Sequence, residues 1–243
     1  MNDLSSDNRV FYHAGRSGNG IKVVIGANVK KIPDYLFQPY ADASLYSSKI
    51  VSVEFEEGSV CEHIGEYAFD SCGNLTSVHI TDIAAWCNIS FGNDVANPLY
   101  YAGNLYLNGT LVTELFIPDS VTSIGSYAFQ DCDSLTSITI PDSVTIIGEY
   151  AFWNCDSLTS ITIPDSVTSI GSYAFYSCES LNRITVGNGI TRIGNKAFWG
   201  CIILRNVTFT GTKAEWSAIS KGVDWKYCVP ASMIICSDGS VSI

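Results

Sequence analysis

The chain is poor in charge. Charged residues make up 15% of its 243 positions, and Lys and Arg number 13 against 24 Asp and Glu. We expect the basic residues to be scattered, whereas binding to nucleic acid or to an anionic membrane surface requires clustered positive charge. The composition therefore predicts no nucleic-acid partner. It also implies a surface covered mainly by Ser, Thr, Asn and Gly.

Long apolar runs are also missing. No apolar segment approaches the roughly 20 residues that span a bilayer, so we expect no membrane insertion. Residues 1–10 are polar and show no apolar stretch of the kind found in signal peptides. Hydrophobic residues nevertheless make up 47% of the chain, which is enough to form a substantial core.

Motifs typical of catalysis or of cofactor binding are absent as well. We find no phosphate-binding glycine loop, no calcium loop and no nucleophile motif. The carboxylates are scattered over turns such as Pro141-Asp142-Ser143, where Asp and Ser favour turn formation. We therefore predict that the protein is not an enzyme and has no catalytic residue and no cofactor.

The nine cysteines invite a metal-site interpretation, but their spacing argues against it. Cys132, Cys155, Cys178 and Cys201 recur every 23 residues, which places them along a line, whereas a metal ion needs thiolates that converge on one point. We interpret these cysteines as small buried apolar residues and predict no metal. Cys228 and Cys236 form the one pair that we would test for a disulfide.

An internal repeat dominates the sequence. Four segments, which start at Val121, Val144, Val167 and Ile190, align without gaps at a spacing of 23 residues. Degenerate copies precede them between residues 29 and 80, and the pattern is interrupted between residues 81 and 120. Periodic self-similarity of this kind is the signature of a stacked repeat architecture.

Each repeat has three parts. Leu-x-x-Ile-x-Ile alternates apolar and polar residues, so it predicts a strand with one buried face, and the Pro that follows ends that strand. Val-x-x-Ile predicts a second short extended stretch. Gly then turns the chain, and Ser-Tyr-Ala-Phe-x-x-Cys predicts about a turn and a half of helix with Ala, Phe and Cys facing inward.

Stacking these units is the way to bury their apolar faces. Short connections between equivalent strands force the strands to lie parallel and adjacent, at a spacing of about 4.8 Å. The fold that we predict is a β-rich α/β repeat solenoid, a right-handed coil with a parallel sheet, short helices and 23-residue repeats. Ile138, Ile161, Ile184 and Val207 must then align in one row beneath the sheet.

The repeat Leu-x-x-Ile-x-Ile-Pro-x-x-Val-x-x-Ile-Gly-x-x-Ala-Phe-x-x-Cys resembles the BspA-type bacterial leucine-rich repeat. The interruption, with Trp86, Asn97-Pro98 and Asn108-Gly109, and the end, with Trp216 and Asp238-Gly239, are also similar to that family. The resemblance implies a surface protein of anaerobic, often host-associated bacteria that binds host matrix, cells or other bacteria. It therefore implies an extracellular or cell-surface location, whereas the absence of a visible signal sequence leaves a cytoplasmic location open.

We predict one leucine-rich-repeat domain over residues 1–243. Residues 1–28 form an N-terminal cap with a first strand at Ile21–Ile25, and residues 29–80 form degenerate repeats. Residues 81–111 form an insert with a short helix and a hairpin, and residues 112–209 form regular repeats. Residues 210–243 form a C-terminal cap, in which Thr212 and Glu215 make a capping box and Asp238-Gly239 makes a hairpin turn.

Two surfaces are candidates for binding. The first is the outward face of the main strands, since concave strand faces are the usual binding surfaces of solenoids. Its candidate residues are Glu54, His79, Glu114, Phe116, Thr139, Thr162, Arg183 and Thr185. The second is a stripe formed by the aromatic residues that follow the repeated Phe, namely Trp153, Tyr176 and Trp199. The alternatives are that Ser and Thr are ordinary exposed strand residues, and that the aromatic rings fold down as cover for neighbouring coils.

These observations favour a non-enzymatic interaction module with a protein or glycan partner, which acts as a bacterial cell-surface or secreted adhesion protein. A structural spacer or assembly element is the first alternative. An enzyme with its site in the insert, around Trp86 to Tyr101, is the second. Exposed aromatic rings would favour binding, paired solenoid ends would favour the spacer, and a deep polar pocket in the insert would favour the enzyme.

Overall fold

A computed structural model describes residues 20–38 and 49–243. The chain falls into two compact units, residues 1–112 (unit 1) and residues 113–243 (unit 2), so a single domain over the whole chain stays a prediction. Most of the predicted N-terminal cap, residues 1–19, lies outside the described residues. So do residues 39–48, which include extra residues expected in the first degenerate repeat.

Unit 1 is a β-solenoid in which coils supply strands to two sheets. Its strands are β1 (Ile21–Ile25), β2 (Lys31–Ile32), β3 (Ile50–Phe55), β4 (His63–Ile64), β5 (Ser77–Ile80), β6 (Ser90–Phe91), β7 (Leu105–Leu107) and β8 (Thr110–Leu111). The main sheet has the order β1-β3-β5-β7-β8, and the second sheet has the order β2-β4-β6. Neighbouring strands are parallel except for β7 and β8. Strand β1 confirms the predicted first strand.

Residues 81–111 continue the solenoid of unit 1. They contain α1 (Ile83–Cys87), a short 3-10 helix (Asp94–Ala96) and α2 (Leu99–Ala102). Strand β6 pairs with β4 and β7 pairs with β5, so this segment forms a longer coil and does not leave the sheets. The predicted helix and hairpin are both present, and the hairpin turn at Asn108 and Gly109 has positive φ at both residues.

Unit 2 contains the regular repeats, and its two sheets have seven and five strands. The strands are β9 (Glu114–Phe116), β10 (Ser123–Ile124), β11 (Ser137–Thr139), β12 (Ile146–Ile147), β13 (Ser160–Ile163), β14 (Ser169–Ile170), β15 (Arg183–Val186), β16 (Arg192–Ile193), β17 (Asn206–Phe209), β18 (Ser220–Lys221), β19 (Met233–Cys236) and β20 (Gly239–Ser242). The main sheet has the order β20-β19-β17-β15-β13-β11-β9, and the second has the order β10-β12-β14-β16-β18.

The register of the main sheet confirms the central prediction. Ile138 pairs with Ile161, Ile161 with Ile184 and Ile184 with Val207, and all four side chains are buried. These residues therefore form one continuous apolar row beneath the sheet. A repeat of fixed length produces such a row because each coil places its equivalent residue directly beside that of the preceding coil.

The segment between the second sheet and the main sheet, which we call the turn side (residues 125–132, 148–155, 171–178 and 194–201), is not the predicted helix. Tyr127 and Asp131 have positive φ values of 65° and 52°, which an α-helix does not allow. The N–H groups of Tyr127, Phe129 and Asp131 donate to carbonyl oxygens of the next coil at 2.9, 2.8 and 2.7 Å. Bonds between coils replace bonds within a helix, because a stacked neighbour supplies acceptors that an isolated segment lacks.

The glycine that begins each turn-side segment is required by close packing of the coils. A Cβ atom on Gly171 would lie 2.5 Å from both the amide nitrogen of Glu149 and the carbonyl carbon of Gly148. We expected glycine here to turn the chain. The structure shows instead that it lets the backbones of adjacent coils touch, and Gly148 and Gly194 make the same close approach.

Inside each coil of unit 2, the turn side adds Phe and Cys rows to the core. The rings of Phe152 and Phe175 stack at 5.3 Å, as do those of Phe175 and Phe198. The Sγ atoms of Cys155 and Cys178 each donate to a phenylalanine carbonyl oxygen of the preceding coil at 3.1 Å. The cysteine row therefore contributes both packing and a weak hydrogen bond to the stack.

The helix and the hairpin predicted within residues 210–243 are both present. Helix α3 (Lys213–Ala218) begins with a complete capping box between Thr212 and Glu215. Strands β19 and β20 form the predicted hairpin, and β19 also pairs in parallel with β17. The hairpin therefore extends the main sheet of unit 2 by two strands.

Candidate functional site

The outward face of the main sheet in unit 2, which we call the strand face, carries two rows of side chains. The register places the first row in the order Glu114, Ser137, Ser160, Arg183 and Asn206. The second row has the order Phe116, Thr139, Thr162, Thr185, Thr208 and Ile235. The predicted site residues of unit 2 on this face are thus brought together on one surface.

The two ends of the strand face differ from its middle. Phe116 is 65% exposed at one end, and Met233 and Ile235 are 52% and 57% exposed at the other. Small Ser and Thr side chains lie between them. Sequence reasoning identified Phe116 but missed Met233 and Ile235, because β19 lies outside the repeat pattern.

The basic residues are not scattered as we expected. No Lys or Arg occurs between Lys49 and Arg183, whereas residues 183–243 hold seven of them against three Asp and Glu. Residues 113–182 hold nine Asp and Glu. The basic residues do not share one face, since Arg183 lies on the strand face, Arg192 begins a strand of the second sheet and Lys196 lies on the turn side.

In unit 1, the corresponding outward face joins Glu54, His79 and Tyr106 in one row. The His79 ring stacks on Tyr106 at 4.7 Å, and its Nε2 lies 3.0 Å from the hydroxyl of Ser77. Glu54 forms an ion pair with Lys22. His79 thus lies on the outward face, as the sequence predicted, and its ring contacts both neighbours.

The turn side of unit 2 presents an aromatic surface in two columns. In the first column, Tyr150 stacks on Tyr127 at 5.0 Å and on Tyr173 at 4.7 Å. In the second column, Trp199 stacks on Tyr176 at 6.2 Å and on Tyr227 at 4.2 Å. We define the aromatic surface by its seven rings and one cation: Tyr127, Tyr150, Trp153, Tyr173, Tyr176, Trp199, Tyr227 and Lys196.

Lys196 and Tyr227 complete this surface at its C-terminal end. The ammonium of Lys196 lies 4.8 Å from the centre of the Trp199 ring and 5.6 Å from that of Tyr173, so it contacts both columns. Tyr227 is 54% exposed. The repeat offered a signal for the tyrosine column, which recurs every 23 residues, but none for Tyr227.

Trp153, Tyr176 and Trp199 are half-buried. Each therefore packs partly on its neighbours, and none reaches the exposure above one half that would make it a freely projecting side chain. The residue that precedes them in the repeat, Gln130, is fully buried. The predicted stripe is thus one column of a broader surface, whose most exposed ring is Tyr227.

Many Thr and Ser hydroxyls of unit 2 serve the stack itself. The hydroxyl of Thr168 donates to the carbonyl of Thr145 at 3.2 Å, and that of Thr191 donates to Thr168 at 3.0 Å. These residues precede strands of the second sheet. They stabilise adjacent coils, which separates them from the Thr row of the strand face.

All nine cysteines are free thiols, so Cys228 and Cys236 are not bridged in this structure. Eight are buried and Cys228 is exposed. Burial raises the pKa of Cys201 to about 12 and that of Cys61 to about 11, which keeps both thiols protonated near neutral pH. The ladder cysteines are therefore inert, as expected of core residues.

The region proposed for an enzyme site contains a small pocket beside α1. Its lining is mainly apolar and includes Phe55, Ile80 and Trp86. The Asp82 carboxylate at its rim accepts bonds from the N–H groups of Ala84 and Ala85 and so caps the helix. The Asp82 carboxylate of this pocket thus has a structural role at the start of the helix.

A tyrosine in the same region also has a structural role. The Tyr101 hydroxyl accepts a bond from the Ser71 N–H at 2.8 Å and donates to the Asp70 carboxylate at 3.1 Å. Burial raises the pKa of Tyr101 to about 12, so the hydroxyl keeps the proton that it donates. Across residues 20–38 and 49–243, no group of three or more His, Cys, Asp or Glu side chains could hold a metal ion.

Within the same residues, the helices are all too short or too polar to cross a bilayer. Solved structures similar to this chain include the leucine-rich repeat protein of T. pallidum, at 23% identity and a TM-score of 0.41, with 84% of this chain and 74% of that chain covered. A leucine-rich cell surface protein from Faecalibacterium prausnitzii has 18% identity and a TM-score of 0.41, with 87% and 84% covered. A leucine-rich repeat protein from Bacteroides ovatus has 25% identity and a TM-score of 0.48, with 82% and 51% covered.

No curated protein matches the chain significantly. The model of the BspA type leucine-rich repeat region matches residues 7–94 and 103–219 in six copies. This match spans most of the sequence and includes every regular repeat of unit 2. Leucine-rich repeats are a non-enzymatic repeat class that generally serves protein interaction. The stacked parallel strands and the repeated Gly, Phe and Cys rows agree with it, and the chain belongs to the BspA-type leucine-rich-repeat family.

Proposed function

We propose that this protein is a non-enzymatic interaction module that binds a protein or glycan ligand, and that it works as a bacterial cell-surface or secreted adhesion protein. The aromatic surface of unit 2 is the ligand-binding surface. The observation that carries this proposal is the exposed ring of Tyr227, which stacks on Trp199 at 4.2 Å beside the ammonium of Lys196. Family membership supports an interaction role and a bacterial surface location.

The composition of this surface fits recognition. Tyr and Trp supply large contact areas that lose little conformational entropy on binding, and they are enriched where proteins bind partners. Stacking on neighbouring coils fixes the rings in place before a ligand arrives, which lowers the entropic cost of association. The hydroxyl groups and Lys196 add polar contacts around the apolar area. The array is therefore a rigid, mixed aromatic and polar surface.

A binding screen tests the proposal. The purified protein is applied to an array of glycans and to a panel of extracellular matrix and cell-surface proteins, and each hit is titrated by surface plasmon resonance. For the ligand so found, we expect Tyr227→Ser to weaken the affinity about ten-fold or more, because an exposed aromatic anchor is lost.

Phe116→Ser is the matched control, since it removes an aromatic ring that is also more than half exposed, but from the strand face. It should leave the affinity for that ligand within about two-fold. Loss of binding in Phe116→Ser with no change in Tyr227→Ser would move the ligand site to the strand face. A screen without hits would contradict the adhesion role itself.

A further inference from the structure

The strand face of unit 2 is self-complementary. One end carries an acidic and an aromatic side chain, Glu114 and Phe116, both exposed. The other end carries the exposed apolar side chains of Met233 and Ile235, and the exposed Arg205 immediately precedes the neighbouring strand β17. Both ends are thus apolar, with an acidic residue at one end and a basic residue beside the other.

The charges of this face are available for a partner. Among the residues that the structure describes, neither Glu114 nor Arg205 nor Arg183 forms an ion pair; both ion pairs lie in unit 1. The charge difference extends beyond the face, because residues 113–182 hold nine acidic residues and no basic one, whereas residues 183–243 hold seven basic and three acidic ones. On the strand face itself, the charges that a second copy in reversed order can pair are Glu114 and Arg205, near the two ends.

We propose that two copies of this chain associate through the strand face of unit 2, related by a twofold axis that runs parallel to the strands. With the axis midway between β13 and β15, strand β9 of one copy faces β19 of the other. Phe116 then meets Ile235 of the second copy, because both residues belong to the same row of the register. The same contact occurs twice, as in any isologous interface.

The charged contact follows from the same geometry. Arg205 lies one strand inward from β19 and one residue before the first row, so it is offset from Glu114 of the other copy by about 6 Å along the plane of the sheets. The long side chains of Arg and Glu span that offset. The Ser and Thr side chains between the two ends are small, so they do not hold the faces apart.

The width of the strand face limits the affinity that we expect for the dimer. Six strands at a spacing of about 4.8 Å span about 24 Å, which is narrow for a stable interface. We therefore expect a weak, reversible dimer with a Kd on the order of 100 μM. This association uses the strand face and is separate from ligand binding at the aromatic surface.

Sedimentation equilibrium of the full chain from about 10 μM to 1 mM tests the dimer. We expect self-association in the wild type and at least a ten-fold weaker dimer for Phe116→Ser, Glu114→Arg and Arg205→Glu. The double variant Glu114→Arg/Arg205→Glu restores complementarity with reversed sign, so its dimer Kd should return to within about three-fold of the wild type. Such rescue requires the two residues to meet across the interface.

Asp142→Arg and Arg192→Glu are controls with the same changes of charge at exposed positions outside the strand face. They should leave the dimer Kd within about three-fold, and circular dichroism verifies that each variant folds. A wild type that stays monomeric at 1 mM would overturn the proposal. So would control variants that weaken the dimer as much as Glu114→Arg, or a double variant that stays monomeric.

Discussion

The rows of unit 2 that connect one coil to the next differ from the rows of its strand face. The connecting rows repeat with little change: the stacked Phe rings lie 5.5, 5.3 and 5.3 Å apart, and the ladder thiols bond at 3.1, 3.1 and 3.2 Å. The strand face instead changes from Glu and Phe at one end to Arg, Met and Ile at the other. Packing fixes the connecting rows, because each residue must fit a copy of itself, whereas the outward rows are free to differ. The outward variation is therefore where specific function can be encoded.

Thiol chemistry should show the largest contrast. In the folded protein at pH 8, we expect only Cys228 to react promptly with a disulfide reagent, about a thousand-fold faster than ladder residues such as Cys155. Raising the pH to 9 should add no prompt equivalents, because burial raises the pKa of Cys61 to about 11 and that of Cys201 to about 12. Unfolding in urea should release all nine, and a spectrophotometric thiol count follows each stage.

The same pKa shifts predict a stability change at alkaline pH. In the unfolded chain the thiols ionise near pH 8.5, well below the folded-state pKa of Cys61, about 11, and that of Cys201, about 12. The two thiols therefore make their full contribution to the free energy of unfolding below about pH 8.5. That contribution decreases as the pH rises towards 12. Prompt reaction of more than one or two thiols in the folded protein would contradict the buried ladder.

Removal of a phenyl ring should destabilise the protein far more in a connecting row than on the strand face. Phe152→Ala leaves a cavity between two stacked rings, so we expect a loss of about 3–5 kcal/mol in the free energy of unfolding. Phe116→Ala removes an exposed ring and should change that free energy by less than about 0.5 kcal/mol. Urea unfolding followed by circular dichroism measures both, and equal losses would break the comparison.

A single methyl group should have the next largest effect. Gly171→Ala places a Cβ atom 2.5 Å from the backbone of the preceding coil, so the coils must separate, at a cost of about 1–3 kcal/mol. Gly73→Ala is the matched control, since its Cβ meets nothing within 4 Å. If both variants had the same urea midpoint, the close approach of the coils would be refuted.

Hydroxyl removal should give the smallest effect. Thr168→Val deletes a hydrogen bond between coils and should cost about 1 kcal/mol, whereas Thr162→Val changes an exposed strand residue and should cost less than about 0.5 kcal/mol. Thermal unfolding distinguishes the two. A larger loss in Thr162→Val would show that the Thr row of the strand face contributes to the stack.

Much of this architecture could be predicted from the sequence, because the repeat length and the alternation of apolar residues determine which side chains align. The row of Ile138 and Ile161, the hairpin at Asn108-Gly109 and the capping box at Thr212 all followed from local patterns. The turn side could not be predicted in this way. Its residues suit a helix locally, but Tyr127 adopts positive φ because its N–H bonds to the next coil, and that partner is 22 residues away.

Candidate site residues could likewise be predicted where they lie in the repeat, but not where they lie in the C-terminal cap. The sequence identified Phe116, Arg183 and Trp199, since each occupies a known position in the repeat, and their role in binding stays a prediction. Met233, Ile235 and Tyr227 were missed, because they lie in the cap, where no periodicity indicates which residues face outward.

By itself, the sequence determined that equivalent residues stack in parallel rows, because a 23-residue period with a fixed apolar pattern has no other way to bury its surface. Only the tertiary structure decided how the turn side bonds, why its glycines are needed and which exposed residues meet on one face. These features depend on the distance between coils and on the cap that follows them. Neither is encoded within a single repeat.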